Sequence, residues 1–199
     1  MLEQYIQQQF IDSADLQYQV AQEMGEGIAN AVHVLLACVT SGNKILCSGN
    51  GLSAAQAAQF AAICVGGLSR ERPELAAVAL DTGALACTQQ GLNLSLDLAP
   101  WALARQVRVL GQVGDVLLVI SVDGDDASLL YAVQAAHERE MSVLALTGRT
   151  GGALADILIE TDVLLCVPHD AMARVREVHQ LVLHCLADGI DMQLLGEEE

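Results

Sequence analysis

The chain is 199 residues long; 53% of them are hydrophobic and 17% charged, and the mean hydropathy is +0.40, a balance that excludes intrinsic disorder over most of its length. Nine basic residues against twenty-five acidic ones leave a formal net charge of −16, so most of the surface repels a nucleic-acid backbone or an anionic membrane. No apolar run approaches the ~20 residues of a membrane span, and Met1-Leu2-Glu3-Gln4 lacks the basic-then-apolar pattern of a signal peptide, which makes a cytoplasmic setting the expectation.

At ~100–200 residues per domain, the length fits one domain over 1–199, an N-terminal arm over 1–40 and a core over 41–199. In the arm, Leu2, Tyr5, Ile6, Leu16, Val20, Met24, Ile28, Val32, Leu35 and Leu36 recur at helical spacing. Gly25 and Gly27 interrupt them, which predicts two helices, about 2–22 and 26–40. The pattern then changes to short aliphatic runs: Lys44 to Cys47, Leu75 to Leu80, Val116 to Ile120, Ser142 to Leu146 and Val163 to Val167. They lack clean alternation, as parallel strands covered on both faces do. Helical stretches lie between and after them, near 53–66, 98–110, 126–139, 151–156 and 171–194. This alternation predicts an α/β fold, a doubly wound five-stranded parallel sheet. The aliphatic surplus, with aromatics at only 3%, predicts a large subunit interface. Glu197-Glu198-Glu199 reads as a solvated acidic tail.

Cysteines stand at 38, 47, 64, 87, 166 and 185 without any C-x-x-C pair or zinc-finger spacing. Cys47 and Cys166 fall inside strand-like runs and read as buried structural thiols.

In open α/β sheets, ligands bind outside the carboxyl ends of the strands. After the first strand comes Ser48-Gly49-Asn50-Gly51-Leu52-Ser53. Two readings stand: an ordinary β–α turn with Ser53 as a cap, or a turn whose amides and helix N-terminus receive an anion. Gly49, Gly51 and Ala54 also match a loose dinucleotide fingerprint. The acidic residue it wants, however, comes only at Asp81, some thirty positions on. After the third strand, Ser121-Val122-Asp123-Gly124-Asp125-Asp126 carries three carboxylates. At ~6 Å and an effective dielectric of ~20–80, each would repel a unit anion by roughly 0.7–3 kcal/mol. Asp126 reads as the N-cap of the next helix; a cation site of Asp123, Asp125 and Asp126 is the other reading.

The chain resembles the SIS (sugar isomerase) domain proteins of the phosphoheptose isomerase and DiaA group. The resemblance rests on Lys44 to Gly51 with Ser53, on Arg70-Glu71-Arg72-Pro73, and on Gln106-Val107-Arg108 with Leu110-Gly111. Gly114 to Leu118, Ala145-Leu146-Thr147-Gly148 and Glu177-Val178-His179 extend it. It implies a flavodoxin-like SIS fold, an oligomerisation arm, a cytoplasmic homotetramer, and a sugar-phosphate site at Asn50, Gly51, Ser53 and Ser121. The isomerases carry a His-Phe-x-x-Glu stretch whose Glu moves a proton between C1 and C2; here it is Gln59-Phe60-Ala61-Ala62-Ile63. Of the family's Gln and second His on the last helix, Arg176 replaces the first and His184 remains as a remnant site residue or a packed one, with His179 read in the same two ways. No metal and no cofactor is therefore expected. The family's Ser-Thr-Ser-Gly-Asn-Ser phosphate loop survives only at Ser121 and Gly124, and its mid-chain Asn-Asp pair is missing from Gly91 to Trp101. On these departures the leading expectation is a non-catalytic scaffold like DiaA that binds the replication initiator DnaA. Leu194 and Leu195 would stand in its partner face, without direct nucleic-acid or membrane contact. The alternatives are a phosphoheptose isomerase acting on sedoheptulose 7-phosphate, or a sensor that binds a sugar phosphate without turnover.

Overall fold

The structure, a computed structural model, describes residues 1–81 and 99–196. Cys87, most of the Gly91–Trp101 stretch and the 197–199 tail lie outside the described residues. The five aliphatic runs form β1 (Ile45–Gly49), β2 (Ala77–Ala79), β3 (Val116–Ile120), β4 (Ser142–Gly148) and β5 (Val163–Val167). All neighbours pair in parallel, in the order β2-β1-β3-β4-β5. That is the flavodoxin-like doubly wound order, with its switch point between β1 and β3.

Successive side chains of the central strands point to opposite faces, and both faces are apolar. Ile45, Cys47, Leu118, Ile120, Leu144 and Leu146 pack under α1 (Leu2–Thr40), α2 (Leu52–Gly66) and α6 (Met172–Leu195). Leu46, Leu117, Val119 and Val143 pack under α3 (Ala102–Leu110), α4 (Ala127–Glu138) and α5 (Gly152–Ile157). This two-sided burial explains the unbroken aliphatic runs.

Several expected elements change in detail. The arm is one helix, not two, because glycine in a helix costs only ~1 kcal/mol and no proline intervenes. At Gly27 a Cβ would stand 3.1 Å from the Leu165 side chain, so the missing side chain lets α1 lie close on β5. The second strand shrinks to three residues at the sheet edge, where Val78 is exposed. The fourth runs two residues further, to Gly148. The helix expected at 98–110 begins as a 3-10 turn over Ala99–Trp101, its residue 98 being outside the described part. Cys166 is half-buried rather than buried, because β5 is the other edge strand; Cys47 is fully buried as expected.

Ion pairs on the amino-terminal side of the sheet fix strand entry. Asp115 accepts from Lys44 N at 3.0 Å, Lys44 Nζ at 2.6 Å and Gln112 N at 2.8 Å, tying the start of β1 to that of β3. Arg72 pairs with Asp191 of α6 and donates to the Ile63 and Cys64 carbonyls at 3.0 and 2.8 Å, closing the C-terminus of α2. Much of the family-like sequence is thus accounted for by strand entry and helix closure, away from the carboxyl ends.

Candidate functional site

Among the described residues, four helices begin at the carboxyl ends of the strands, and they differ in what meets their first amides. The N-terminus of α4 is closed by Asp126, whose Oδ1 accepts from Ser128 N at 2.9 Å, Leu129 N at 3.3 Å and the Ser128 hydroxyl. Its Oδ2 accepts from Asn50 Nδ2 at 3.3 Å, stitching the β1 loop to the β3 loop. Asp125 Oδ1 accepts from Ala153 N at 2.9 Å, in the first turn of α5. Asp123 Oδ1 accepts from the Ser121 hydroxyl at 3.1 Å and from Asp125 N at 3.3 Å. The three carboxylates therefore serve as internal caps, and the expected capping role of Asp126 is what the structure shows. No group of three His, Cys, Asp or Glu able to hold a metal ion forms among the described residues.

The N-termini of α2 and α6 carry no side-chain cap. For α2 the N-cap is Gly51, not Ser53 as the sequence suggested. Gly51 has φ +51°, a left-handed backbone that favours glycine, and the space beside it is open. Ser53 is instead the second residue of the helix; it is buried, and its amide donates to the Asn50 carbonyl at 2.9 Å. Gly49 has no room for a side chain, since a Cβ would come 2.5 Å from the Ser53 carbonyl oxygen. An uncapped helix start behind a glycine turn is the arrangement that receives an anion. Ser121 is fully buried, and its hydroxyl accepts from Gly124 N at 3.0 Å while donating to Asp123, so it is already engaged.

Beside this turn, α2 and α6 enclose a polar cluster. Gln56 Nε2 donates to the Arg176 carbonyl at 2.9 Å. One turn on, His179 Nε2 lies 3.0 Å from the Thr147 carbonyl at the end of β4. Desolvation lowers the His179 pKa to about 4, the Thr147 carbonyl opposes the shift, and the Arg176 charge adds to it. The ring is neutral near pH 7, with its Nε2 hydrogen turned to Thr147. Gln56 Oε1, Thr147 Oγ1, Arg176 Nε and His179 Nδ1 are buried without a hydrogen-bond partner among the described residues. His184, two turns beyond Arg176, is partly exposed, with its Nε2 2.8 Å from Gln180 Nε2. Leu194 and Leu195 are exposed at the end of the same helix. The sequence singles out His179 and His184 but not Gln56. Its one signal was a polar side chain a turn after Ser53 on an alanine-rich helix.

In the isomerases that the sequence resembles, the two His, the Glu and the Gln that match Gln59, His184, Ile63 and Arg176 serve acid–base and zinc-site roles, and a zinc does not fit the residues present here. Ile63 is a buried hydrocarbon packed in the core, and Arg176 brings a positive charge with a buried Nε. Gln59 and His184 are left as the only side chains of the four positions with a lone pair to offer a metal, too few for the closed or three-ligand sites zinc uses.

Against known proteins, a model of the SIS domain matches residues 9–148. A phosphoheptose isomerase of Methylibium petroleiphilum is 50% identical over 199 residues, covering 100% of this chain and 98% of that protein. One from Azoarcus sp. is 49% identical over 194 residues, covering 98% and 97%. Among solved structures, a phosphoheptose isomerase of Neisseria gonorrhoeae superposes with a TM-score of 0.86 at 41% identity, covering 96% of this chain and 99% of that one. One of Francisella tularensis superposes with a TM-score of 0.87 at 36% identity, with the same coverage. These likenesses overturn the DiaA-like scaffold. Relatives that match nearly end to end are named for sugar-phosphate isomerisation, and the departures at Ile63 and the β3 loop do not outweigh them.

Proposed function

Because the chain belongs to the SIS domain family, we propose that it binds a phosphorylated sugar over the carboxyl ends of β1, β3 and β4 and interconverts its ketose and aldose forms, with a phosphoheptose such as sedoheptulose 7-phosphate as substrate. The observation that carries this reading is the end-to-end likeness to relatives named phosphoheptose isomerase, at 44–50% identity. The open α2 N-terminus at Asn50, Gly51 and Ser53 supports it as the seat of the phosphate. The phosphate avoids the starts of α4 and α5, where Asp126 and Asp125 already hold the amides. Ile63 offers no proton acceptor, so general acid–base work falls to His184, the partly exposed imidazole on the Arg176 face of α6.

That same Ile63, buried where the family's base stands, favours a second reading: binding of the sugar phosphate without turnover. One experiment separates the two. Sedoheptulose 7-phosphate is incubated with the chain in deuterated water and followed by proton NMR. Isomerisation through an enediol exchanges the migrating hydrogen with solvent and yields the aldose; His184→Asn should abolish both. Ligand-induced thermal stabilisation without exchange establishes the second reading, and neither effect at millimolar ligand refutes both.

We further propose a homotetramer assembled through α1. Leu2, Tyr5, Ile6, Phe10 and Ile11 form an exposed apolar stretch ahead of Leu16, its first buried residue. Light scattering should report four chains; a 21.0 kDa species would contradict it.

A further inference from the structure

The misfit of zinc and the orphaned polar atoms between α2 and α6 have one explanation in common. Buried polar atoms in native proteins are almost always hydrogen-bonded, so four unpartnered ones on linked residues mark a place where something binds. Gln56 is bonded to the Arg176 carbonyl, Arg176 acts electrostatically on His179, and His179 is bonded to the Thr147 carbonyl. His179 and Thr147 have no exposed surface, and Gln56 is nearly as buried. Arg176 is the member that reaches solvent. The atoms left over are complementary to a hydroxylated carbonyl compound. Arg176 Nε–H donates, Gln56 Oε1 and a neutral His179 Nδ1 accept, and the Thr147 hydroxyl does either. A metal ion would meet the guanidinium's charge instead.

Resting on the sugar-phosphate reading, we propose that Arg176 is the resident cation of this site: in place of a metal, its guanidinium holds the carbonyl and adjacent hydroxyl oxygens of the open-chain sugar. Gln56, Thr147 and His179, closed off in this structure, take the hydroxyl hydrogens around it once their side chains open to the ligand. Gln56 lies one turn along α2 from Ser53, so a phosphate on the first turn of that helix directs the rest of the molecule toward Arg176. Ligand binding is then independent of divalent metal.

Calorimetry on the full chain tests this with sedoheptulose 7-phosphate and with zinc chloride, each titrated separately, and with the sugar phosphate again in a chelator. The account expects no stoichiometric zinc uptake, an unchanged sugar-phosphate affinity in chelator, and at least about tenfold weaker binding by Arg176→Met. Arg176→Lys, which keeps the charge, should lose less, and Thr147→Val and Gln56→Leu should each weaken binding several-fold. Circular dichroism melts check that the variants fold. Equal affinity of wild type and a folded Arg176→Met overturns the proposal while leaving the sugar-phosphate reading intact. One zinc per chain that tightens sugar binding also overturns it. Absence of any binding by wild type overturns the sugar-phosphate reading and this proposal with it.

Discussion

Acidification should weaken the fold through one buried imidazole. His179 has no exposed surface, its Nε2 bonds the Thr147 carbonyl, and its Nδ1 meets no partner. Burial, chiefly, brings its pKa down from 6.5 to about 4. In the unfolded chain the ring titrates near pH 6.5, so between about pH 6.5 and about pH 4 the unfolded state binds a proton that the folded state refuses. Stability is therefore intact above the unfolded value and falls as the pH drops through that window. The whole difference corresponds to ~3 kcal/mol, and linkage puts ~2 kcal/mol of it between about pH 7.5 and about pH 5. The assay is urea unfolding followed by circular dichroism at those two values, on wild type and on His179→Gln, whose amide keeps a donor for Thr147 but does not titrate. Wild type should lose about 2 kcal/mol more than the variant on acidification. Equal losses, or an NMR titration of His179 with a midpoint near 6.5, would refute the reasoning.

Three further outcomes are expected. Asp191→Asn should destabilise the chain by about 3–5 kcal/mol in urea unfolding, because Arg72, whose side chain is 1% exposed, loses its counter-charge; a cost below about 1 kcal/mol would contradict that. Asp126→Ala should cost ~1–2 kcal/mol by removing the α4 cap, and should raise phosphate affinity by opening that helix start; unchanged stability would show the cap to be idle. Cys47 and Cys64 should resist iodoacetamide near pH 8 until denaturant is added, since burial pushes the Cys64 thiol up to about 12 and Cys47 well above its ordinary value; native labelling at either position would show that the α2 side of the core opens.

The sheet was legible because its central strands are buried on both faces and so read as plain aliphatic runs. The edges were not: among the described strands β2 and β5 each have one neighbour, and Val78, Leu164 and Cys166 face outward where the pattern suggested burial. The unbroken α1 was hidden by Gly25 and Gly27, since spacing alone does not reveal that Gly27 makes room for Leu165. At the site, Asp126 was legible as a cap because Asp before a helix is a local signal. The partners of Asp125 and Asn50 were not, because both bonds cross between loops distant in sequence. Ser53 misleads for a related reason: Gly51 takes the left-handed backbone at the cap and leaves Ser53 as the second residue of the helix. Ile63 and the altered β3 loop mislead most, because they are local departures within a likeness that runs the length of the chain.

The most direct test is a crystal structure of the chain with sedoheptulose 7-phosphate. The phosphate is predicted on the amides of Gly51 and Leu52 at the start of α2, with Asp126 still on Ser128 and Leu129 and the sugar oxygens on Arg176. A phosphate seated on α4 with Asp126 displaced, or a ligand away from the carboxyl ends of the strands, would contradict it.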